Sequence, residues 1–219
     1  MNKKVGVILS GCGVYDGSEI HEAVATLIAL DEQQLEAVCF APDIDQMHVV
    51  DHLTGQVKSG EKRNVLVESA RIARGKISAL NADSASQVDA LILPGGFGAA
   101  KNLCNYASSG IEMTINQHVA NTLKKAHQAG KPIGALCISP ILLAAVFGDE
   151  GPKLTLGDYG DDAKRLEALG GKHVVTGHEE VVVDDKLKLI TGPCYMLEST
   201  TSQIFRGAVA VVKALKSFL

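Results

Sequence analysis

Short apolar runs alternate along the chain with longer segments of helical periodicity, and this alternation constrains the fold more than any other feature. Runs such as KVGVILSG, EAVCFAPD, VDALILPGGFG and PIGALC are typical of strands that are covered on both faces. Between such runs lie segments such as SEIHEAVATLIAL and QHVANTLKKAHQAGK, whose apolar residues recur every three or four positions. The pattern predicts an α/β fold with a mostly parallel sheet between helices, in a single domain over residues 1–219.

The flanking segments are less regular. Ser18 is the predicted N-cap of the first helix, on which Glu22 falls opposite the face of Ile20, Val24 and Leu27. The polar stretch from Ile44 to Arg63 predicts a long loop. Near the end of the chain, EEVVVDDKLKLITG predicts a hairpin, and TSQIFRGAVAVVKALKSFL predicts a final helix.

Charge and cysteine usage exclude several classes of function. The net charge is −4 and only 4% of residues are aromatic, which argues against a nucleic-acid-binding protein. Five cysteines without a C-x-x-C pair argue against a disulfide framework or a metal site. The first apolar run is too short for a signal peptide or a membrane span, so we expect no membrane partner and a reducing compartment, the bacterial cytoplasm.

Unusual residues follow three of the predicted strands. These are Cys12 between two glycines, the pair Gly95 and Gly96, and Cys137. Right-handed crossovers place the carboxyl ends of parallel strands at one edge of the sheet, where ligands bind. We therefore expect these positions to lie along one edge of the sheet.

Cys137 lies where a strand gives way to a helix that begins near Pro140. A side chain on such a turn is exposed above the sheet, as in a nucleophile elbow. The nearby helix N-terminus predicts a lowered thiol pKa. A buried, inert thiol is the alternative, because intracellular cysteines are often core residues.

The motifs LILPGGFGAAKNL and PIGALCISP resemble the PfpI superfamily, which includes the parkinsonism-associated deglycase and is more distantly related to class I glutamine amidotransferases. GCGVYDGSEIHEA and VLVESARIARG are similar to its ElbB branch, which is linked to isoprenoid biosynthesis, and the resemblance runs from about Lys4 to Leu215. It implies a flavodoxin-like three-layer sandwich with an elbow cysteine and no cofactor. It also implies a homodimer.

The resemblance further implies a carboxylate on the first helix that touches the elbow sulfur. Counting back from the second strand selects Glu22, with Glu19 as the competitor, and a solvated surface carboxylate is the alternative. An acid against a partly buried sulfur would have a raised pKa and could move protons. The N–H groups of Gly96 and Ile138, beside the flexible Gly95, are the predicted oxyanion hole; a tight turn alone would also explain the glycines.

The chain departs from its relatives where they carry histidines. Ile138 follows the elbow cysteine, and Asp158 occupies the loop position after the elbow helix. Amidotransferase or peptidase chemistry needs a Cys–His pair and is therefore disfavoured. The polar settings of His173 and His178 predict surface residues.

Secondary candidates are Cys12, for which a position near Cys137 and an ordinary loop thiol are both open, and Asn102, which is placed to contact a substrate beside the PGGFG loop. The spacing of Gly11, Gly13 and Gly17 mimics a dinucleotide fingerprint, but such a pattern alone is weak.

Two functions compete. The first is a glyoxalase of the glyoxalase III type, a lyase that converts a small aldehyde, glyoxal, to glycolate through Cys137 and Glu22; deglycase activity would use the same hemithioacetal chemistry. The second is a redox-sensing, regulatory or chaperone protein linked to isoprenoid metabolism, in which Cys137 is oxidised.

Overall fold

The computed structural model describes residues 2–219. Its strands are β1 Lys4–Ile8, β2 Glu36–Ala41, β3 Val50–Asp51, β4 Gln56–Val57, β5 Ile77–Ala79, β6 Ala90–Leu93, β7 Ile133–Leu136, β8 Lys153–Leu154, β9 Lys172–His173, β10 Val182–Asp184 and β11 Leu189–Gly192. Its α-helices are α1 Ile20–Glu32, α2 Val65–Ile72, α3 Tyr106–Ser109, α4 Gln117–Gln128, α5 Pro140–Phe147, α6 Asp161–Ala168 and α7 Thr201–Lys216.

Seven strands form the central sheet in the order β10-β11-β7-β6-β1-β2-β5. Neighbouring strands are parallel except for the hairpin of β10 and β11. The carboxyl ends of β1, β6, β7 and β11 therefore share one edge of the sheet. The predicted α/β class and the predicted hairpin are confirmed.

The sheet separates two apolar cores. In β6, Leu91 and Leu93 belong to one core and Ile92 to the other, as the alternation of strand side chains requires. Helices α4, α5 and α6 cover the first core, and α1, α2 and α7 cover the second. This is the three-layer flavodoxin-like sandwich that the resemblance implied.

Helix α1 begins one residue later than predicted. Its N-cap is Glu19, whose Oε2 accepts the N–H of Glu22 at 2.7 Å. The predicted cap, Ser18, is instead buried, and its Oγ accepts the N–H of Ser10 at 2.9 Å. Glu19 fits the cap because its carboxylate satisfies a free N–H of the first turn.

The apolar stripe of α1 faces outward. Ile20, Val24 and Ile28 are each at least 40% exposed, whereas Glu22 and Ala23 are buried. The small residues on the inner face let α1 pack closely on the sheet and on α7. The periodicity identified the helix, but tertiary packing selected the face that is buried.

The predicted loop from Ile44 to Arg63 contains a short hairpin, in which β3 pairs with β4. Within residues 2–219, no helix is both long enough and apolar enough to span a bilayer.

Candidate functional site

Cys137 lies on a sharp turn between β7 and α5. Its φ is 57°, a left-handed conformation that is rare for a residue with a side chain. The N–H of Cys137 donates to the carbonyl of Gly192 on β11 at 3.0 Å, and Ser139 Oγ donates to the carbonyl of Pro94 after β6 at 2.8 Å. Both neighbouring strands therefore hold this strained turn in place.

Glu22 lies on the inner face of α1, with no solvent exposure, and its carboxyl group hydrogen-bonds the Cys137 thiol. Its Oε2 accepts the N–H of Gly95 at 2.9 Å, and its Oε1 accepts the N–H of Tyr195 at 3.2 Å. A methyl group on Gly95 would lie 2.7 Å from Glu22 Oε2 and 2.9 Å from Cys137 Sγ. Only glycine at position 95 therefore leaves room for the acid beside the sulfur.

The two groups hold their protons at neutral pH. Burial, reinforced by the nearby charge of Glu19, raises the pKa of Glu22 to about 8. Burial and the adjacent Glu22 raise the pKa of the Cys137 thiol well above its ordinary value. The predicted lowered thiol pKa is therefore wrong, because desolvation outweighs the N–H groups at the start of α5.

The N–H groups of Gly96 and Ile138 face the Cys137 sulfur and lower its pKa, although less than burial raises it. Gly96 has a φ of 95°, and the carbonyl of Gly95 accepts the N–H of Glu19 at 2.9 Å. The turn after β6 is thus pinned to the start of α1. Donors beside the sulfur suit an oxyanion on the bonded carbon, and this role remains a prediction.

A cavity of about 400 Å³ opens beside Cys137. Its walls are mostly apolar and include Val14, Phe97, Ala100, Ile138 and Met196. The polar residues that line it are Glu19, Tyr106, Asp162, Arg165 and Tyr195. Of the two candidate acids, Glu19 reaches the cavity while Glu22 lies behind the sulfur.

Two secondary candidates, Asn102 and Asp158, are not among the residues that line the cavity within residues 2–219. Asn102 is buried, and its Nδ2 donates to the carbonyls of Ser10 and Asp16 at 2.8 and 2.9 Å. It braces the loop after β1, so the expectation of a substrate contact is not met. Asp158 is exposed, and within residues 2–219 it is not among those that line the cavity.

Cys12 follows β1, which pairs with β6. Its side chain, however, lies among different residues from those around Cys137. Its charged neighbours are Glu68, Arg71 and Asp16, and partial burial raises its pKa. Cys194 lies closer to the site: it follows β11, is buried, and has a pKa raised by burial and by Glu22.

The glycine-rich loop after β1 is closed by its own hydrogen bonds. The N–H of Gly13 donates to Ser18 O at 2.9 Å, and the N–H of Gly17 donates to Gly13 O at 2.7 Å. The N–H of Gly11 donates to Ser69 Oγ at 2.8 Å. The groups that would hold a pyrophosphate are already bonded, which disfavours the dinucleotide interpretation.

The histidines expected at the surface differ from each other. His178 is exposed, as predicted, and its Nδ1 bonds Ser199 Oγ at 2.8 Å. His173 is partly buried, and its Nε2 accepts the N–H of Leu156 at 3.1 Å, so the surface prediction is wrong for it. The neighbouring strand β8 covers its ring.

Sequence reasoning missed Tyr195 and the polar end of the cavity. Tyr195 lies three residues after the end of β11, so its position after a strand on the ligand-binding edge was the available signal. Tyr106 donates to Asp162 Oδ1, and Arg165 donates to the same oxygen at 3.2 Å. No motif links Tyr106 to α6 in the sequence. Among the described residues, no group of three or more His, Cys, Asp or Glu is arranged to hold a metal ion.

Comparison with known proteins places the chain in a family. The model of the DJ-1/PfpI family matches residues 13–196. The chain belongs to the DJ-1/PfpI family. The family prediction is confirmed, and the match includes the residues of the elbow, the glycine turn and the buried acid.

Similar proteins support this family assignment over nearly the whole chain. A Homo sapiens protein named glutamine amidotransferase-like class 1 domain-containing protein 3, mitochondrial, is 49% identical, over 96% of this chain and 81% of its own length. The Danio rerio ES1 protein, mitochondrial, is 34% identical, over 97% of this chain and 84% of its own length. A crystal structure of an isoprenoid biosynthesis protein with an amidotransferase-like domain from Ehrlichia chaffeensis is 35% identical, with a TM-score of 0.91, over 99% of this chain and all of that one.

The predicted cytoplasmic location is contradicted by these relatives. The proteins from Homo sapiens, Rattus norvegicus and Danio rerio are all named as mitochondrial. The cysteine usage predicted a reducing environment, but it does not separate one reducing compartment from another.

Proposed function

We propose that this protein is a cofactor-independent glyoxalase that converts glyoxal and water to glycolate. The observation that supports it best is the hydrogen bond between a buried carboxyl group, Glu22, and an elbow thiol, Cys137, beside a cavity. Isomerising an aldehyde adduct requires one group that binds the carbonyl carbon and one that moves protons between adjacent carbons. Cys137 and Glu22 supply these two groups.

The first step forms a hemithioacetal. In its ionised form, Glu22 takes the thiol proton while the sulfur of Cys137 adds to a carbonyl carbon of glyoxal. The N–H groups of Gly96 and Ile138 stabilise the alkoxide, which then takes the proton back from Glu22. This order suits a thiol with a raised pKa, because the sulfur never has to exist as a free thiolate.

The second step is an isomerisation. Glu22 removes the proton from the carbon that carries sulfur, which gives an enediol, and returns a proton to the neighbouring carbon. The product is a thioester of glycolate on Cys137. Hydrolysis of this thioester adds one water, releases glycolate and restores the thiol, so the sequence consumes no oxidant or reductant.

The cavity also accommodates larger aldehydes. One water molecule takes up about 30 Å³ in the liquid, so a cavity of about 400 Å³ holds far more than a two-carbon substrate. Aldehydes carried on a thiol or an amine, the substrates of a deglycase, would enter the same chemistry. Relative kcat/KM values for free glyoxal and for its thiol adduct would separate the two activities.

Two other functions receive less support. Amidotransferase chemistry requires a histidine base beside the cysteine, and Ile138 and Asp158 occupy the positions where relatives carry one. Peroxide sensing requires a thiolate that is accessible, whereas Cys137 is buried and its pKa is raised.

The test is glycolate formation from glyoxal by the purified protein, followed by proton NMR. We expect turnover in the wild type and none in Cys137→Ala. Cys39→Ala, which removes a thiol from β2 away from the cavity, is the matched control. Equal rates in wild type and Cys137→Ala would reject the proposal.

We also propose that the protein forms a homodimer through the exposed stripe of α1. Ile20, Val24 and Ile28 are exposed and, together with Ala25 and Phe205, line an apolar groove between α1 and α7. Under a two-fold axis this face would bury its apolar side chains against the same face of a second copy. Val24→Glu should shift the sedimentation coefficient to that of a monomer, while Val67→Glu, at an exposed valine of α2, should not.

A further inference from the structure

We propose that Tyr195 is a further catalytic residue, and that with His21 as its positioning partner it activates the water that hydrolyses the thioester. This inference rests on the proposed function, since it concerns the last step of that reaction. It assigns an acid–base role to two residues for which the family resemblance implied none.

The proposed mechanism leaves this step without a base. Both oxygens of Glu22 are bonded to backbone N–H groups, of Gly95 and Tyr195, and the side chain has no solvent exposure. Glu22 therefore reaches atoms bonded to the Cys137 sulfur, whereas a water molecule approaches from the cavity. The two positions where relatives carry histidine hold Ile138 and Asp158, which provide no base at the cavity.

The two carboxylates that line the cavity are engaged elsewhere. Glu19 Oε2 accepts the N–H of Glu22, and Asp162 Oδ1 accepts from Tyr106 and Arg165.

Tyr195 is placed to fill this gap. Tyr195 lines the cavity together with Cys137, and its N–H donates to Glu22 Oε1. On its other side, the hydroxyl bonds His21 Nδ1 at 2.8 Å, and His21 is half-exposed on α1. With the proton of His21 on Nε2, Nδ1 accepts from the tyrosine hydroxyl, which is then free to accept a proton from water.

Hydrolysis moves one water proton through the pair and back to the sulfur. A water oxygen bonds to the thioester carbon, its proton passes to the Tyr195 oxygen, and the tyrosine proton passes to His21 Nδ1. The tetrahedral oxyanion collapses, the carbon–sulfur bond breaks, and the sulfur takes the proton back from His21 through the Tyr195 hydroxyl. One water has then become the acid and the thiol, and Glu22 stays ionised, as the isomerisation left it.

The charges around the pair favour this transfer. Glu19 Oε1 lies 3.9 Å from His21 Nδ1 and would stabilise the imidazolium that forms. The groups that face Tyr195 are Glu19, Glu22, Cys194 and the neutral Thr201, and none of them carries a positive charge. A histidine beside a carboxylate is a common arrangement for a general base.

The experiment follows the thioester directly. Hemithioacetal and thioester are isomers of equal mass, but hydroxylamine converts only the thioester to a hydroxamate. In Tyr195→Phe, which keeps the ring, we expect Cys137 to accumulate as a thioester that decays about 10²-fold more slowly than in wild type, the lower end of the usual range for loss of a general base. His21→Gln should show the same accumulation, because an amide cannot take up the proton that the tyrosine passes on.

Two controls separate this role from a structural one. His178→Gln removes an exposed histidine that bonds Ser199, and Tyr159→Phe removes an exposed hydroxyl that bonds Glu167. Both should hydrolyse the thioester at the wild-type rate. A merely structural role for Tyr195 would slow thioester formation and hydrolysis together, so no thioester would accumulate, and that result would overturn the proposal.

A second arm separates this proposal from the glyoxalase itself. In a Cys12→Ser background, p-nitrophenyl acetate can acetylate Cys137 without any aldehyde chemistry, and peptide mapping follows the decay of the acetyl group on Cys137. A longer-lived acetyl group in Tyr195→Phe and His21→Gln supports the inference even where glyoxal is not converted. Equal lifetimes in wild type and both variants overturn it even where glycolate is formed.

Discussion

Cys137 and Cys12 both follow parallel strands of the same sheet, on the same edge, yet the structure gives them different surroundings. Cys137 lies on a turn with positive φ, with an acid and two N–H groups at its sulfur and a cavity in front. Cys12 lies in a loop braced against α2, between Glu68 and Arg71. Within residues 2–219, it is not among the residues that line the cavity.

The difference shows that a strand end does not make a thiol reactive by itself. Glu68 is the carboxylate beside Cys12, as Glu22 is the one beside Cys137. Unlike Glu22, Glu68 is bound by Arg71, whose Nε donates to Glu68 Oε2 at 2.9 Å. Glu22 has no cationic partner among its contacts and keeps its proton. A neutral acid can give and take protons beside sulfur, whereas the oxygens of Glu68 are occupied by the guanidinium of Arg71.

Glu22→Gln should produce the largest effect. Removing the proton carrier is expected to lower glyoxal turnover by about 10²- to 10⁴-fold, the usual range for loss of a general acid–base group. Glu68→Gln, next to Cys12, should retain most of the activity; circular dichroism confirms that both variants are folded. Comparable losses of turnover in Glu22→Gln and Glu68→Gln would mean that the acid beside Cys137 has no special role in the reaction.

The pH dependence of turnover provides the next largest effect. Because Glu22 must be ionised to accept the thiol proton and its pKa is about 8, kcat/KM should rise about tenfold per pH unit below that value and level off above it. The profile of Cys12→Ser should superimpose on that of wild type. A flat profile between pH 6 and pH 9 would contradict the assignment of Glu22 as the base.

Alkylation rates compare the two thiols directly. Cys12 is partly exposed and Cys137 is buried with the larger rise in pKa, so iodoacetamide at pH 7 should modify Cys12 about tenfold faster. Peptide mapping over time measures both sites in one sample. Faster modification of Cys137 would indicate a thiolate there at neutral pH and would reverse the comparison.

Thermal stability should show the smallest effect. The folded state holds the Glu22 proton up to about pH 8, while an unfolded glutamate loses it near 4.5, so the free energy of unfolding falls as pH rises between these values. The expected loss is on the order of a few kcal/mol. Glu22→Gln should lack this slope, and Glu32→Gln, exposed on the same helix, should keep it. Thermal melting curves from pH 5 to pH 9 measure this slope in the wild type and in both variants.

The sequence determined the layers of the fold and the place of the site. Apolar runs with β-branched residues predicted the strands, and helical periodicity predicted the helices between them, because both patterns are local. Pro140 and the glycines at 95 and 96 marked the turns. The choice of Glu22 over Glu19 depended on the family resemblance, since periodicity alone put Glu22 opposite the apolar residues.

Tertiary structure decided the chemistry. It buried Glu22 and turned Ile20, Val24 and Ile28 outward, because the small inner residues of α1 fit against the sheet and α7. It also brought Tyr195 to Glu22 and His21, although 173 residues separate Tyr195 from Glu22. Desolvation depends on every neighbour of a group, so the raised pKa values of Cys137 and Glu22 follow from packing, which no local pattern in the sequence encodes.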